Sequence, residues 1–224
     1  MRLIHTSDLH LREDKQSKLG IFGGEEFNQI IKETIKRNAN ALLIAGDLFD
    51  SKRPSKKVIS FVKREFHKLD EKRITVFVIM GDSDQGALNS ISLGKNVKVF
   101  KSTEIICKKI KGLSVYGASY LNDNPLRNFK SKKSKNRSVG LLHVDIEDQN
   151  LSDISNSGLD YLALGHYHDL SKVKSKVPCY YSGSSVKGLK YKKARRYFIE
   201  VDLDKLRVNL VNIQNEKLKR SVTT

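Results

Sequence analysis

Cysteine is scarce, and thiolate chemistry goes with it. The chain has 2 cysteines among 224 residues, and neither Cys107 nor Cys179 has a second cysteine or a histidine at zinc-finger spacing. Both lie in apolar stretches and read as buried thiols, compatible with a reducing cytoplasm. Long apolar runs are missing too: none approaches the roughly 18 residues needed to span a bilayer. No cationic stretch followed by an apolar one opens the chain, so a soluble, unprocessed, cytoplasmic protein with no membrane partner is expected. Acidic residues are in deficit, 25 Asp plus Glu against 42 Lys plus Arg, for a net charge of +17. The field outside such a protein attracts polyanions, and nucleic acid is the obvious candidate. Internal repeats and long linkers are absent, and the length fits one domain. We place that domain at 1–214 and expect 215–224, which carry no periodic pattern, to be a fraying C-terminal tail.

What is present is a set of apolar runs that stop at chemistry-bearing residues. Ala41-Leu42-Leu43-Ile44-Ala45 ends at Gly46-Asp47-Leu48-Phe49-Asp50. Unbroken apolar runs of this length suit strands covered on both faces, as in sheets built from βαβ units. Arg2 to Ser7 ends at Asp8-Leu9-His10, and Thr75 to Met80 ends at Gly81-Asp82-Ser83-Asp84. Val139-Gly140-Leu141-Leu142 ends at His143, and Tyr161-Leu162-Ala163-Leu164 ends at Gly165-His166-Tyr167-His168. Ligands of α/β sheets gather at the carboxyl ends of strands, so the recurrence of His and Asp at these ends is the main functional signal.

Between the runs, Phe27, Ile30, Ile31 and Ile35 repeat at helical spacing within 25–38, and Pro54 opens a second helical pattern to about Asp70. The first eighty or so residues therefore read β-α-β-α-β, and right-handed crossovers make the three strands parallel. Short strands are predicted at Val97–Phe100, Ile105–Ile110 and Ser114–Ala118, the last two joined at Gly112, and together they suggest a second sheet. Residues 122–137 have almost nothing apolar to bury and read as a mobile basic loop. Arg196–Val201 and Leu206–Val211 alternate as a closing hairpin turning at 202–205.

Asp8, His10, Asp47, His143, His166 and His168 are oxygen and imidazole donors with no thiolate among them, a set that suits manganese, iron or zinc. On an extended segment Asp8 and His10 point the same way, and His166 and His168 repeat that spacing. His5 lies inside the first strand and reads as a buried, hydrogen-bonded side chain. His67, among lysines, reads as solvent-facing.

The succession D-x-H, G-D-x-x-D, a third motif, a lone His after a strand, then G-H-x-H resembles the calcineurin-like metallophosphoesterases. The runs His5 to His10 and Ala45 to Ser51, with Tyr181-Ser182-Gly183-Ser184, are most similar to the SbcD-type DNA repair exonucleases, whose archaeal and eukaryotic counterpart is the meiotic recombination nuclease. The resemblance covers residues 1 to about 202. It implies a four-layer α/β/β/α sandwich of two mixed sheets, with two divalent ions in the cleft above them. Manganese is the expected metal, with iron, zinc or magnesium as alternatives. By motif position Asp8, His10, Asp47 and His168 would hold one ion and Asp47, Asp82, His143 and His166 the other, with Asp47 bridging. Asp50 would orient a metal-bound histidine. The chemistry implied is phosphodiester hydrolysis.

Two departures stand out. Asp82 and Ser83 occupy positions where the family has asparagine and a phosphate-facing histidine, and a serine hydroxyl is far too weak an acid to protonate a leaving group. At this length neither a full capping domain nor the full segment that docks on an ATPase in such enzymes is expected. The expected function is a two-metal nuclease acting on DNA, with activity reduced at Ser83. The alternative is a weak or inactive member serving as a DNA- or protein-binding scaffold in repair. A small-molecule phosphodiesterase is a third reading, against which the basic loops argue. DNA is the expected partner, with a repair ATPase subunit and a second copy of the chain as further candidates.

Lys132, Lys133, Lys135 and Arg137 in the first basic stretch, and Lys187, Lys190, Lys192, Lys193, Arg195 and Arg196 in the second, are candidate phosphate contacts, as are Lys172, Lys174 and Lys176. No base-reading helix accompanies them. Affinity for duplex DNA is accordingly expected to fall steeply, and nearly independently of sequence, between about 50 and 200 mM salt. Fluorescence anisotropy at several salt concentrations checks this, and a flat dependence removes nucleic acid as a partner.

Overall fold

All five residues of Ala41–Ala45 are buried as strand β4, the apolar run acting as one central rung of a sheet. In the computed structural model, residues 1–119, 130–131, 135–146, 151–186 and 196–213 are described. Around β4 the first sheet collects β1 (Arg2–Thr6), β5 (Thr75–Ile79), β6 (Val97–Phe100), β13 (Tyr197–Asp202) and β14 (Arg207–Asn212). Its order is β14-β13-β1-β4-β5-β6, with β1, β4, β5 and β6 parallel. The closing hairpin β13–β14 runs antiparallel beside β1, and Asp202 accepts from the Lys205 N–H at its turn. Strand Val97–Phe100 thus extends the first sheet instead of founding the second. It pairs in parallel with β5, which burial of Phe100 against Phe77 favours.

The second sheet holds β7 (Ile106–Ile110), β8 (Leu113–Gly117), β9 (Arg137–His143), β10 (Tyr161–Gly165), β11 (Ser171–Val173) and β12 (Cys179–Tyr181). The order is β11-β12-β10-β9-β8-β7, parallel in the middle and antiparallel at both edges. Gly112 turns the β7–β8 hairpin at φ +76°. On edge strand β7 alternate residues face outward, so Cys107 is exposed, contrary to the buried reading, whereas Cys179 is buried. A hairpin of β2 (Arg12–Glu13) and β3 (Ile21–Phe22) was not visible in the sequence, being two residues per strand.

Helices α1 (Gly24–Lys36) and α2 (Lys56–Glu71) cover the first sheet. Ser55 caps α2 by accepting from the Val58 N–H, satisfying a donor that the first turn leaves free. Phe27, Ile30 and Ile31 of α1 and Phe61, Val62 and Phe66 of α2 pack on Ile4, Leu42, Ile44, Val76 and Val78. The opposite faces of the same strands present Leu3, Leu43, Phe77 and Ile199 to Leu113, Val115, Val139, Leu141 and Tyr161 of the second sheet. Ile154 of α3 (Leu151–Asn156) packs with Leu142, Leu162, Leu164 and Tyr181 on the second sheet's outer face. The result is the four-layer α/β/β/α sandwich, because each sheet is apolar on both faces and must be covered twice. Among the described residues no helix is long and apolar enough to cross a membrane. The expected loop at 122–137 lies mostly outside the described residues, and the expected tail at 215–224 lies entirely outside them.

His5 is the polar tie between the sheets. Fully buried, its Nδ1 accepts from the Tyr161 hydroxyl at 2.9 Å, and Nε2–H donates to the Leu164 carbonyl at 3.1 Å. Burial drives its pKa down to about 3, against which the carbonyl bond works only in part. A histidine neutral in the fold and titrating near 6.5 when unfolded binds fewer protons folded, so its contribution is complete above about pH 6.5 and is lost as the pH falls towards 3. The expected loss is at most about 1.4 kcal/mol per pH unit from this residue. Urea midpoints at pH 7, 6 and 5 should show a shallower slope for His5→Gln than for the natural protein.

Candidate metal centre

The loops that follow β1 and β4 run side by side. The Asp8 N–H donates to the Gly46 carbonyl, the His10 N–H to the Asp47 carbonyl and the Leu11 N–H to the Leu48 carbonyl. To bring their side chains inward, Asp8, His10, Asp47 and His166 take left-handed φ values of 52°, 45°, 50° and 93°. Such backbone costs of order 1–3 kcal/mol per residue and persists where the surroundings over-determine it. The Asp8-x-His10 and His166-x-His168 segments are therefore not extended, and side-chain alternation along a strand is not what gathers them. Glycine makes the convergence possible: a Cβ on Gly165 would lie 1.8 Å from the Ala45 carbonyl oxygen, so β10 and β4 could not meet across the two sheets with any other residue there.

The first cluster is Asp8, His10 and His168, whose donor atoms lie within 4.8 Å of one another. Asp50 fixes His10: its carboxylate accepts from Nδ1–H at 3.1 Å and is itself held by Arg12 at 3.0 Å. That leaves the His10 Nε2 lone pair facing His168 Nε2 at 3.3 Å and Asp47 Oδ2 at 3.5 Å. Behind Asp8, Ser182 Oγ donates to Ser7 Oγ at 2.8 Å and Ser7 donates to Asp8. Ser184 Oγ holds the Asp8 carbonyl at 2.8 Å, and its N–H bonds the His168 carbonyl at 2.9 Å. The Tyr181-Ser182-Gly183-Ser184 loop thus clamps two donors of one cluster.

The second cluster is Asp82, His143 and His166, and Asp8, Asp47 and His143 form a third grouping that joins the two. His143 Nδ1–H donates to the Ala45 carbonyl at 2.8 Å. Its Nε2 then carries a lone pair, buried and without any hydrogen-bond partner, 3.8 Å from Asp47 Oδ2. His166 Nδ1 lies 3.0 Å from Asp82, and Nε2 lies 3.5 Å from Asp145. Ser83 holds Asp47 at both oxygens, by its N–H to Oδ1 at 2.9 Å and its hydroxyl to Oδ2 at 3.0 Å.

These residues fit divalent cations. Lone pairs of His10, His143 and His168 and the carboxylates of Asp8 and Asp47 converge, and among the described residues no lysine or arginine pairs with those acids. Buried carboxylates and imidazole lone pairs that no positive charge balances are costly, and a hard or borderline cation is the group that satisfies them. Burial raises Asp8 well above the carboxylate range, Asp47 adding to it. Burial first and the Asp47 charge second raise Asp84 to about 7. Burial lowers His143 and His168, which favours their neutral, donor-ready forms.

Three contributors were not assigned from the sequence. Asp84 accepts from the Gly81 N–H at 2.8 Å and the Phe49 N–H at 3.2 Å, stapling two donor loops together. Asp145, two residues past His143, faces His166, and Ser7 props Asp8. Asp84 lay within the third motif and Ser7 within the run His5 to His10, so each had a motif that could have pointed to it.

Of the candidate phosphate contacts, Lys132, Lys133, Lys187, Lys190, Lys192, Lys193 and Arg195 lie outside the described residues. Arg137 starts β9 at the end away from His143, roughly 20 Å off at about 3.3 Å per residue, and is paired with Asp160 at 3.1 Å. Lys135, two residues before it, shares that end. Arg196 is paired with Glu26 with both side chains mostly buried. Among the described candidates, Arg137 and Arg196 are paired with carboxylates, and Lys135 and Arg137 lie at the end of their strand away from His143.

A sandwich of this kind with paired donor clusters at its strand ends defines a metallophosphoesterase scaffold. Residues 1–207 match the calcineurin-like phosphoesterase family, and the chain belongs to it. It is 27% identical over 208 residues to the uncharacterized metallophosphoesterase YhaO of Bacillus subtilis, covering 80% of this chain and 51% of that protein. It is 25% identical over 192 residues to the DNA double-strand break repair protein Mre11 of Methanocaldococcus jannaschii, covering 75% and 51%. The chain thus spans about half the length of these relatives. Among solved structures, TT1561 of Thermus thermophilus shares the fold at a TM-score of 0.59 and 10% identity, over 95% of this chain and 99% of that one. A novel archaeal phosphodiesterase does so at 0.55 and 15%, over 95% and 100%.

Stripping and restoring divalent cation tests the centre. Manganese should raise the melting temperature, the stabilisation reaching about 2.7 kcal/mol at a hundred times the Kd. Asp47→Asn should abolish that response while raising the melting temperature of the metal-free protein, because one of three adjacent buried acids is neutralised. A cation response retained in Asp47→Asn would show that Asp47 does not hold the ion.

Proposed function

We propose that the protein is a two-metal phosphodiesterase acting on DNA, slowed by the residue at position 83. The observation that carries the reading is the buried, partnerless Nε2 of His143 facing Asp47, with a second set of donors on the carboxylate's other side. Asp8, His10, Asp47 and His168 would hold one ion, and Asp47, Asp82, His143 and His166 the other. Divalent ions bound there supply Lewis acidity towards phosphoryl oxygens and lower the pKa of bound water. Manganese fits the mixed carboxylate and imidazole donors. For DNA as substrate, the net charge of +17 and the repair-protein names among the relatives are the support.

The chain's own residues hold and orient. Asp50 fixes the tautomer of His10, and Ala45 fixes that of His143, so each presents Nε2 inward. Ser83 does neither acid nor base work, for its proton is committed to Asp47. A leaving alkoxide therefore departs without a proton from this position. Loss of such a donor costs about 10²–10⁴-fold in rate. Asp82 adds charge beside the second set, which tightens cation binding and partly neutralises its pull on the phosphoryl oxygens.

The scaffold reading keeps one specific observation, the double engagement of Asp47 by Ser83. Weak, metal-dependent hydrolysis of bis(p-nitrophenyl) phosphate, whose leaving group needs no proton, is expected, with much less cleavage of DNA. Ser83→His, alone or with Asp82→Asn, should raise DNA cleavage more than ester cleavage. If the restored variant binds two ions and gains nothing on DNA, the missing acid is not limiting and the scaffold reading takes over.

A further inference from the structure

The two sides of the cleft differ in charge. Beside His166 stand Asp82 and Asp145, 57% and 68% exposed. On the His10 side the outer groups are cations. Arg12 Nη1–H donates to Asp50 Oδ2 at 3.0 Å, and Asp50 Oδ1 accepts from His10 Nδ1–H at 3.1 Å, so one carboxylate separates a guanidinium from a donor of the first cluster. Lys52, two residues past Asp50, reaches across to the loop after β5, where its Nζ donates to Gln85 Oε1 at 3.2 Å. Ser83 of that same loop has its Oγ 3.4 Å from His10 Nδ1.

The fold does not use up this charge. Further along α2, Arg64 and Lys68 are paired with Glu65, whereas Lys52, Arg53, Lys56 and Lys57 are exposed and pair with no carboxylate among the described residues. The β2–β3 hairpin that bears Arg12 touches the start of α2, since a Cβ on Gly20 would lie 2.6 Å from Lys57 Nζ. Arg12 itself lies over the Phe22 ring, 3.7 Å from its centroid, which fixes the plane of the guanidinium. Its contact with Asp50 occupies one of five N–H donors and leaves the others for a planar anion. In a polynucleotide, the phosphate at the metal centre is followed by others, and each of these lies over one rim or the other. The acidic rim repels them and the basic rim attracts them.

We infer that Arg12, Lys52 and Arg53, continued by Lys56 and Lys57, form the track along which the sugar–phosphate backbone of a DNA strand leaves the metal centre on the His10 side. The inference rests on the phosphodiesterase reading and deepens it by naming the face on which the substrate lies. Contacts of this kind position the strand and are indifferent to its sequence.

Fluorescence anisotropy of a labelled thymidine dodecanucleotide with the manganese-loaded protein, between about 50 and 200 mM salt, tests the track. Arg12→Gln, Lys52→Gln and Arg53→Gln should each weaken binding and make the slope of log affinity against log salt shallower by about 0.7, the share of one phosphate contact on a single strand. Lys72→Gln removes the same charge at the other end of α2, about 24 Å away, and should leave the slope unchanged. Calorimetric titration of Arg12→Gln with manganese should give the natural affinity. Lost manganese affinity with an unchanged DNA slope makes Arg12 a prop for Asp50 and overturns its place in the track. Unchanged slopes in all three rim variants, or an equal change in Lys72→Gln, overturn the track. The phosphodiesterase reading then still stands if the natural protein hydrolyses bis(p-nitrophenyl) phosphate with manganese, and falls with the track if it neither hydrolyses that ester nor binds the oligonucleotide.

Discussion

The carboxylate of Asp47 organises the structure. It is nearly buried, lies 3.5 Å from His10 Nε2 and 3.8 Å from His143 Nε2, and shares its surroundings with the buried acids Asp8 and Asp84. In a chain with 42 basic residues, none of the described lysines or arginines pairs with any of these three carboxylates. The protein instead surrounds them with backbone N–H groups, serine hydroxyls and neutral imidazoles, which stabilise negative charge without cancelling it. A permanent arginine would make the metal-free fold more stable and would occupy the place of a cation. Leaving acids uncompensated trades stability for a site, and the strained φ values at Asp8, His10, Asp47 and His166 are part of the same exchange.

Much of this was legible in the sequence because burial on both faces leaves strands as bare apolar runs, so their ends stand out. Ala41–Ala45, Tyr161–Gly165 and the residues after them could be read directly, as could the helical stripe of Phe27, Ile30 and Ile31. The assignment of strands to sheets was less legible, since Val97–Phe100 carries no mark of which neighbour it joins and the choice depends on where Phe100 finds Phe77. Supporting contacts were hidden for a related reason. Asp84 and Asp145 act through tertiary approach, which spacing along the chain does not encode, and Ser7, though it props its own neighbour Asp8, carries no mark of which group its hydroxyl bonds. Asp8 and His10 were grouped correctly from an extended geometry that the backbone does not have. Cys107 reads as apolar by its neighbours, yet an edge strand has a wet face.

Ser83 shows how one substitution redistributes a site's resources. Its backbone N–H and hydroxyl reach both oxygens of Asp47 and hold the carboxylate in one rotamer. Fixing a shared ligand improves cation binding by removing the entropy of ordering it. The same contact consumes the only proton the side chain has. Anchoring and proton donation are therefore alternatives at this position, and the chain has the anchor. Affinity for cation and rate of hydrolysis become separable properties here, which is why a weak enzyme and a metal-loaded scaffold are neighbouring outcomes of one geometry.

Several of the described basic side chains that first suggested nucleic acid are committed to carboxylates. Arg137 is spent on Asp160, Arg196 on Glu26, and the rim beside His166 is acidic. Long-range attraction and close-range recognition are then carried by different parts of the protein. A net charge of +17 draws a polyanion to the surface at any orientation, whereas an acidic rim rejects phosphate except where cations neutralise it. An anion drawn to the protein is thus directed to the space between the donor clusters, where cations would take up its charge.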